Sequence, residues 1–190
     1  MVYKKTLMVS LICGAISLCW LFPEKSACEK LVESKGDVQA FPVCLKLAEE
    51  GELYAQNIVA IDYMEGNGIK KSHKEGVAWF QKAAEQGFSK AQSNLGTAYL
   101  QGVGVERDIH KANEWWHKAA AQGETSALHN LAISYSRGVG VNADKSEAAK
   151  YELLAGLSDF VKGNFKQAYH RFSAAYKSYV ASPAKHTINT

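Results

Sequence analysis

Cysteine is scarce and stops early: the chain of 190 residues has four, the last of them Cys44. No C-x2-C spacing occurs, which removes the common structural zinc sites. An excess of charge of one sign is also missing. Twenty-two Lys and Arg stand against nineteen Asp and Glu. They interleave, as in Lys70, Lys71, Lys74 and Glu75 or Glu106, Arg107 and Asp108, so they read as solvated faces rather than a nucleic-acid footprint. Catalytic signatures are lacking too. Neither H-E-x-x-H nor G-x-S-x-G occurs, and the one S-x-x-K, Ser182 to Lys185, has Pro183 inside it and is a chance match. Three G-x-G turns lack the preceding strand and third glycine of a dinucleotide site. His110 and His117, two turns apart on one helix, have no third ligand nearby and read as a solvated pair. No catalytic residue, metal or cofactor is expected.

What is present begins with a core-forming composition, 47% hydrophobic, which predicts a single folded unit. Lys4 and Lys5 precede Thr6 to Phe22, 17 residues without a charge, ending at Pro23-Glu24-Lys25. Residues 1–22 therefore read as a signal peptide or a signal anchor that sends the rest across a membrane. Ser17 and Cys19 are the small residues nearest a cleavage pattern, and 17 residues lie at the short limit of a span. The expected location is periplasmic or secreted, with any membrane contact made through this segment. Cys13 and Cys19 lie inside it, so Cys28 and Cys44 remain for the exported part, and their even number favours a disulfide. Each is eight residues from Gly36, so an antiparallel hairpin turning there brings them level.

The dominant feature is a 36-residue period, giving units 55–90, 91–126 and 127–162; the first two share 11 identical positions. Ala55, Ala91 and Ala127 open the units. Val59, Leu95 and Leu131 follow at the fifth position, Tyr63, Tyr99 and Tyr135 at the ninth. Then come the glycine pairs Gly66/Gly68, Gly102/Gly104 and Gly138/Gly140, and Trp79, Trp115 and Tyr151 in the second halves. Positions 1, 5, 8 or 9 and 12 fall on one helical face and form a buried seam. The first glycine of each pair caps that helix in the left-handed conformation. Ser72, Asp108 and Asp144 start a second helix, with Glu75 and Glu147 completing capping boxes. Ala83-Ala84 and Ala119-Ala120 allow close helix approach, Trp79, Phe80, Trp115 and Trp116 supply buried area, and Gly87 and Gly123 end the second helices.

The pattern A-x3-[LV]-[GA]-x2-Y-x2-G-x-G-[VI]-x2-[DS], then [AG]-x2-[WY] and x3-A-A-x-Q-G, resembles the Sel-one-like repeat (SLR), a relative of the tetratricopeptide repeat. The resemblance covers 55–162 and implies an all-α fold, a right-handed α/α superhelical solenoid of antiparallel helix pairs. Unit three departs from it at Gly156 and Ser158-Asp159, where the regular array closes. Residues 25–54 are expected as an amino-terminal half-repeat cap, with helices over 25–35 and 37–50, and 163–181 as a carboxy-terminal capping helix after a Gly163-Asn164 turn. Residues 182–190 are a tail. Such caps should present a polar outer face.

The resemblance implies an adaptor that holds an unidentified protein or peptide, with no nucleic acid involved. The alternative it implies is a β-lactamase-like or cell-wall amide hydrolase, weakened by the absence of the cysteine pair that such relatives carry in most repeats. Positions 3, 7, 10 and 11 of each first helix should face away from the core and line the inner groove. They are Asn57, Ile61, Met64 and Glu65, then Ser93, Thr97, Leu100 and Gln101, then His129, Ile133, Ser136 and Arg137. On the helix that Gly102 caps, Gln92 is expected to be dispensable for stability.

Overall fold

The computed structural model describes residues 26–180, where nine α-helices and no strand are found. The apolar segment 1–22 and the tail 182–190 lie outside the described residues, and with them the expectations about export and cleavage. The helices are α1 Ala27–Lys35, α2 Asp37–Glu49, α3 Leu53–Glu65, α4 His73–Glu85, α5 Ser89–Gln101, α6 Ile109–Ala120, α7 Thr125–Arg137, α8 Lys145–Val161 and α9 Phe165–Val180. Each packs mainly on the helices before and after it. That nearest-neighbour pattern makes the solenoid: α3, α5 and α7 are the first helices of the three units, and α4, α6 and α8 the second.

The helix ends follow from their end residues. Ser72 Oγ accepts from Glu75 N–H at 3.4 Å, Asp108 from Lys111 N–H at 3.0 Å and Asp144 from Ser146 and Glu147 N–H at 2.8 and 3.1 Å. The expected capping boxes are not completed by Glu75 and Glu147. The cap N–H groups of Ser72, Asp108 and Asp144 instead donate to the carbonyls of Tyr63, Tyr99 and Tyr135 at 2.8, 3.0 and 2.8 Å. A backbone partner nine residues back already satisfies the donor that the carboxylate would have served, and Glu147 pairs with Lys150 instead.

Gly66, Gly102 and Gly138 take the left-handed conformation as caps, with φ of 88°, 69° and 70°. The second glycine of each pair does something else. A Cβ on Gly104 would collide with the carbonyl oxygen of His73, and one on Gly140 would lie 2.6 Å from Asn113 Nδ2. These glycines let each loop lie on the second helix of the preceding unit.

The core sits in the seams between helices. Ala55, Val59, Ala91, Leu95, Ala127 and Leu131 are fully buried, as are Ala83 and Ala119 opposite them. Of the four aromatics on α4 and α6 only Phe80 and Trp116 are buried; Trp79 and Trp115 are half-covered, with the ammonium groups of Lys82 and Lys118 lying 3.9 and 4.0 Å over their rings. Trp116 fits because Gly96 faces it: a Cβ there would come within 2.6 Å of the indole nitrogen.

The flanks close the array differently at its two ends. The Cys28–Cys44 disulfide joins α1 to α2 across a Cα separation of 5.0 Å, with both cysteines buried. At the other end Ser158-Asp159 replaces the helix-ending Gln-Gly, so α8 runs for 17 residues where α4 has 13, stopping only before Gly163 (φ 80°). The next helix, α9, then stands where a fourth unit would place its first helix. Its Ala168 and Ala175 are buried, but the polar outer face expected of a cap is not there: Phe165, Tyr169 and Tyr176 are exposed.

A candidate protein-interaction groove

Two hollows lie between the first helices of successive units. One, of about 310 Å³, is lined by Ile61, Met64 and Glu65 of α3, Asn94, Thr97, Ala98 and Gln101 of α5, and Phe80 of α4. The other, of about 320 Å³, continues from it through Tyr54, Asn57, Ile58 and Ile61 to Lys90 and Asn94, reaching Glu124 and Ser126 at the start of α7. Ile61 and Asn94 belong to both, so the two form one groove across α3 and α5.

Five of the twelve expected groove residues, Ile61, Met64, Glu65, Thr97 and Gln101, meet at the first hollow. At position 3, Asn57 borders the second hollow and His129 a third, but the side chains are not free. Asn57 and Ser93 are 4% and 2% exposed and belong to the contact between neighbouring first helices. Asn94 Nδ2 donates to Asn57 Oδ1 at 3.1 Å, Ser93 Oγ lies 2.9 Å from Ser126 Oγ, and Trp116 Nε1–H donates to the Ser93 carbonyl at 3.1 Å. These bonds hold position 3 against the next first helix. Leu100 is also displaced, packing beside Trp116 and Leu131. Ile133, Ser136 and Arg137 line neither hollow.

His129 borders a third hollow of about 280 Å³ with Glu152, Gln167, His170 and Arg171. Glu152 stands where unit two has Trp116, and a carboxylate in an aromatic's place needs partners. It receives His129 Nδ1 at 2.9 Å and Arg171 at 3.5 Å, while Arg171 Nε reaches Asp159.

Sequence reasoning missed Asn94 at position 4, and it missed a glutamine relay. Gln92 is 5% exposed; its amide donates to the Ala84 carbonyl at 3.1 Å and its oxygen accepts from Gln122 at 2.8 Å. Gln56 does the same with Ala48 and Gln86, at 3.2 and 3.0 Å. Gln92, expected to be dispensable, is therefore a buried and doubly bonded residue. His117 is half-buried: its Nδ1 lies 3.3 Å from Tyr151 Oη and its Nε2 3.5 Å from Tyr135 Oη, and burial lowers its pKa below the ordinary 6.5.

Electrostatically the groove is acidic at the α1–α2 end. Burial first, and then the carboxylates of Glu29, Glu33, Asp37 and Glu52, raise the pKa of the Tyr54 hydroxyl. Asp62, fully buried on α3, is pushed up to about 7 by burial and then by Asp37.

The Sel1 repeat matches residues 53–88, 89–124 and 125–155, each match opening with a first helix. Among solved structures, the chain is similar to c5321, a protective antigen of uropathogenic Escherichia coli strains displaying an SLR fold. Identity is 31% and the TM-score 0.64, over 79% of this chain and 36% of that one. A Sel1 repeat protein from Oxalobacter formigenes is 25% identical with a TM-score of 0.65, over 79% of this chain and 69% of that one. The chain thus spans about a third of the length of the E. coli antigen. No curated protein matches the sequence. Three contiguous repeat matches, on three helix pairs stacked in register, mean that the chain belongs to the Sel1 repeat family.

Proposed function

We propose that the protein is an exported scaffold that holds an extended segment of a partner protein along the groove of α3 and α5. Sel1 repeats generally mediate protein interaction. The observation that carries the placement here is the continuous pair of hollows shared by these helices. Their walls combine apolar Ile61 and Met64 with the amides of Asn94 and Gln101, so they offer both side-chain pockets and backbone partners to an extended chain. The carboxylates around Tyr54 favour a segment that is basic where it passes α1 and α2. Export is supported by Lys4 and Lys5 before an uncharged run and by the Cys28–Cys44 bridge, which persists in an oxidising compartment.

The test is partner capture after crosslinking in the native compartment. Ile61→Arg with Thr97→Arg should leave helicity and melting nearly unchanged and weaken capture at least tenfold, or about 1.4 kcal/mol. If capture survives in the folded double variant, the convex second-helix face takes over as the candidate. Nitrocefin turnover by the purified protein would instead favour the hydrolase reading.

A further inference from the structure

A solenoid's last helix needs a polar outer face unless something covers it, and α9 has the opposite. Phe165, Tyr169, Tyr176 and Val180 are 63%, 71%, 70% and 57% exposed. Their spacing returns them to one stripe along the helix, which no other helix covers among the described residues, while Ala168 and Ala175 pack on α8. Lys166, His170 and Lys177 are exposed along the adjoining strip. At the turn into α9, Phe160 and Val161 extend the apolar surface, and the Phe160 and Phe165 rings meet edge to face at 5.3 Å. Between α8 and α9 a hollow of about 420 Å³, larger than those of the groove, is lined by Leu153, Phe172, Tyr176 and Tyr179. From Phe160 to Thr190 the sequence has no Asp or Glu and five Lys or Arg.

We infer that the α8–α9 face docks on an anionic membrane surface, with the α9 aromatic stripe at the headgroup boundary and Lys166 and Lys177 on lipid phosphates. Three features select this occupant. Exposed Phe and Tyr beside Lys on one amphipathic helix is the arrangement that suits a lipid interface, where aromatic rings sit at headgroup level and amines reach outward. Pairing α9 with α9 of a second copy would bring Lys166 and Lys177 of both copies together, with no acidic residue on the helix to offset them. Among the described residues no helix is long and apolar enough to cross a membrane, so the contact lies in the plane of the surface. It is separate from the groove.

The experiment is co-flotation of the full chain with phosphatidylcholine vesicles, with and without phosphatidylglycerol. The amino-terminal segment is present in every sample, so the readout is the difference between lipids and between variants. Wild type should partition more strongly onto the anionic vesicles, and the increment should shrink in high salt. Lys166→Glu with Lys177→Glu should remove that increment, weakening binding to anionic vesicles about tenfold or more. Tyr169→Ser with Tyr176→Ser should weaken it at unchanged charge, and circular dichroism melting should match wild type in both variants because all four side chains are exposed. Anionic vesicles that bind both folded variants as they bind wild type overturn the inference. So does a change in mass by light scattering without vesicles when vesicle binding is unaltered, since the face then belongs to a second copy, whose acidic cap would be its partner.

Discussion

Gln92 ties three helices together: its own, the end of α4 through the Ala84 carbonyl, and the end of α6 through Gln122. Replacing it with alanine strands a carbonyl and an amide in a site that is 5% exposed, so Gln92→Ala should cost about 1–2 kcal/mol by urea unfolding. A loss below about 0.5 kcal/mol would mean that water substitutes for the side chain. The relay was readable in principle. Gln56 and Gln92 recur at position 2, Gln86 and Gln122 recur thirty residues on, and both members change together in unit three, to Leu128 and Ser158. A face-by-face reading of single helices has no place for that correlation, because the pair spans two units.

Asp62 shows the same limit from the other side. Its equivalents are Ala98 and Ser134, so the seam at this position takes a small residue, yet here both carboxylate oxygens are buried without a hydrogen-bond partner. The folded chain keeps a proton on this group, raised to about 7, that the unfolded chain releases above its ordinary 3.8. This contribution to stability is therefore whole below about pH 4, falls as pH rises through about 7, and then levels. Asp62→Ser should stabilise the protein at pH 8 by more than about 1 kcal/mol and remove that slope. His117 acts in the opposite sense: with its pKa lowered by burial, its contribution is present above the ordinary 6.5 and lost as pH falls through the folded value. Melting temperatures of wild type and Asp62→Ser across pH 4 to 8 separate the two, and parallel curves would show that Asp62 does not titrate differently on folding.

Between helices the loops carry the constraint. The two glycines of each G-x-G turn look alike in sequence and act differently: Gly102 ends its own helix, whereas Gly104 admits its loop onto the preceding unit at His73 and Val77. Gly104→Ala combines a φ of 75° with a backbone collision and should cost more than about 2 kcal/mol. Gly87→Ala, with φ at 92° and nothing within 4 Å of the new Cβ, should cost only the backbone strain, about 1 kcal/mol. Equal denaturation midpoints would contradict the inter-unit role. The sequence revealed the positions of these elements through their period, and it revealed that the first glycine is a cap through helical geometry. The reason for the second lies in the neighbouring unit's backbone, which no local pattern describes. The burial of Asn57 and Ser93 has the same cause, since their partners Asn94 and Ser126 belong to the next unit.

At the scale of the whole molecule the two ends are secured unequally. The Cys28–Cys44 link closes a loop with a sequence separation of 16, worth about 3 kcal/mol in the chain-entropy account. Two titratable thiols in exported protein unfolded without reductant would remove it, and reduction of intact protein should lower the melting temperature by about 6–12 °C. The second glycine loops add a direction, because each unit's loop rests on the unit before it: Gly68 on α2, Gly104 on α4 and Gly140 on α6. A unit near the amino terminus thus supports its successor, and α9 supports nothing after it among the described residues. Drawn apart by its termini, such a chain should peel from the α8–α9 hairpin inward, releasing one helix pair after another like a ratchet run backwards, with the bridged α1–α2 pair as the last catch.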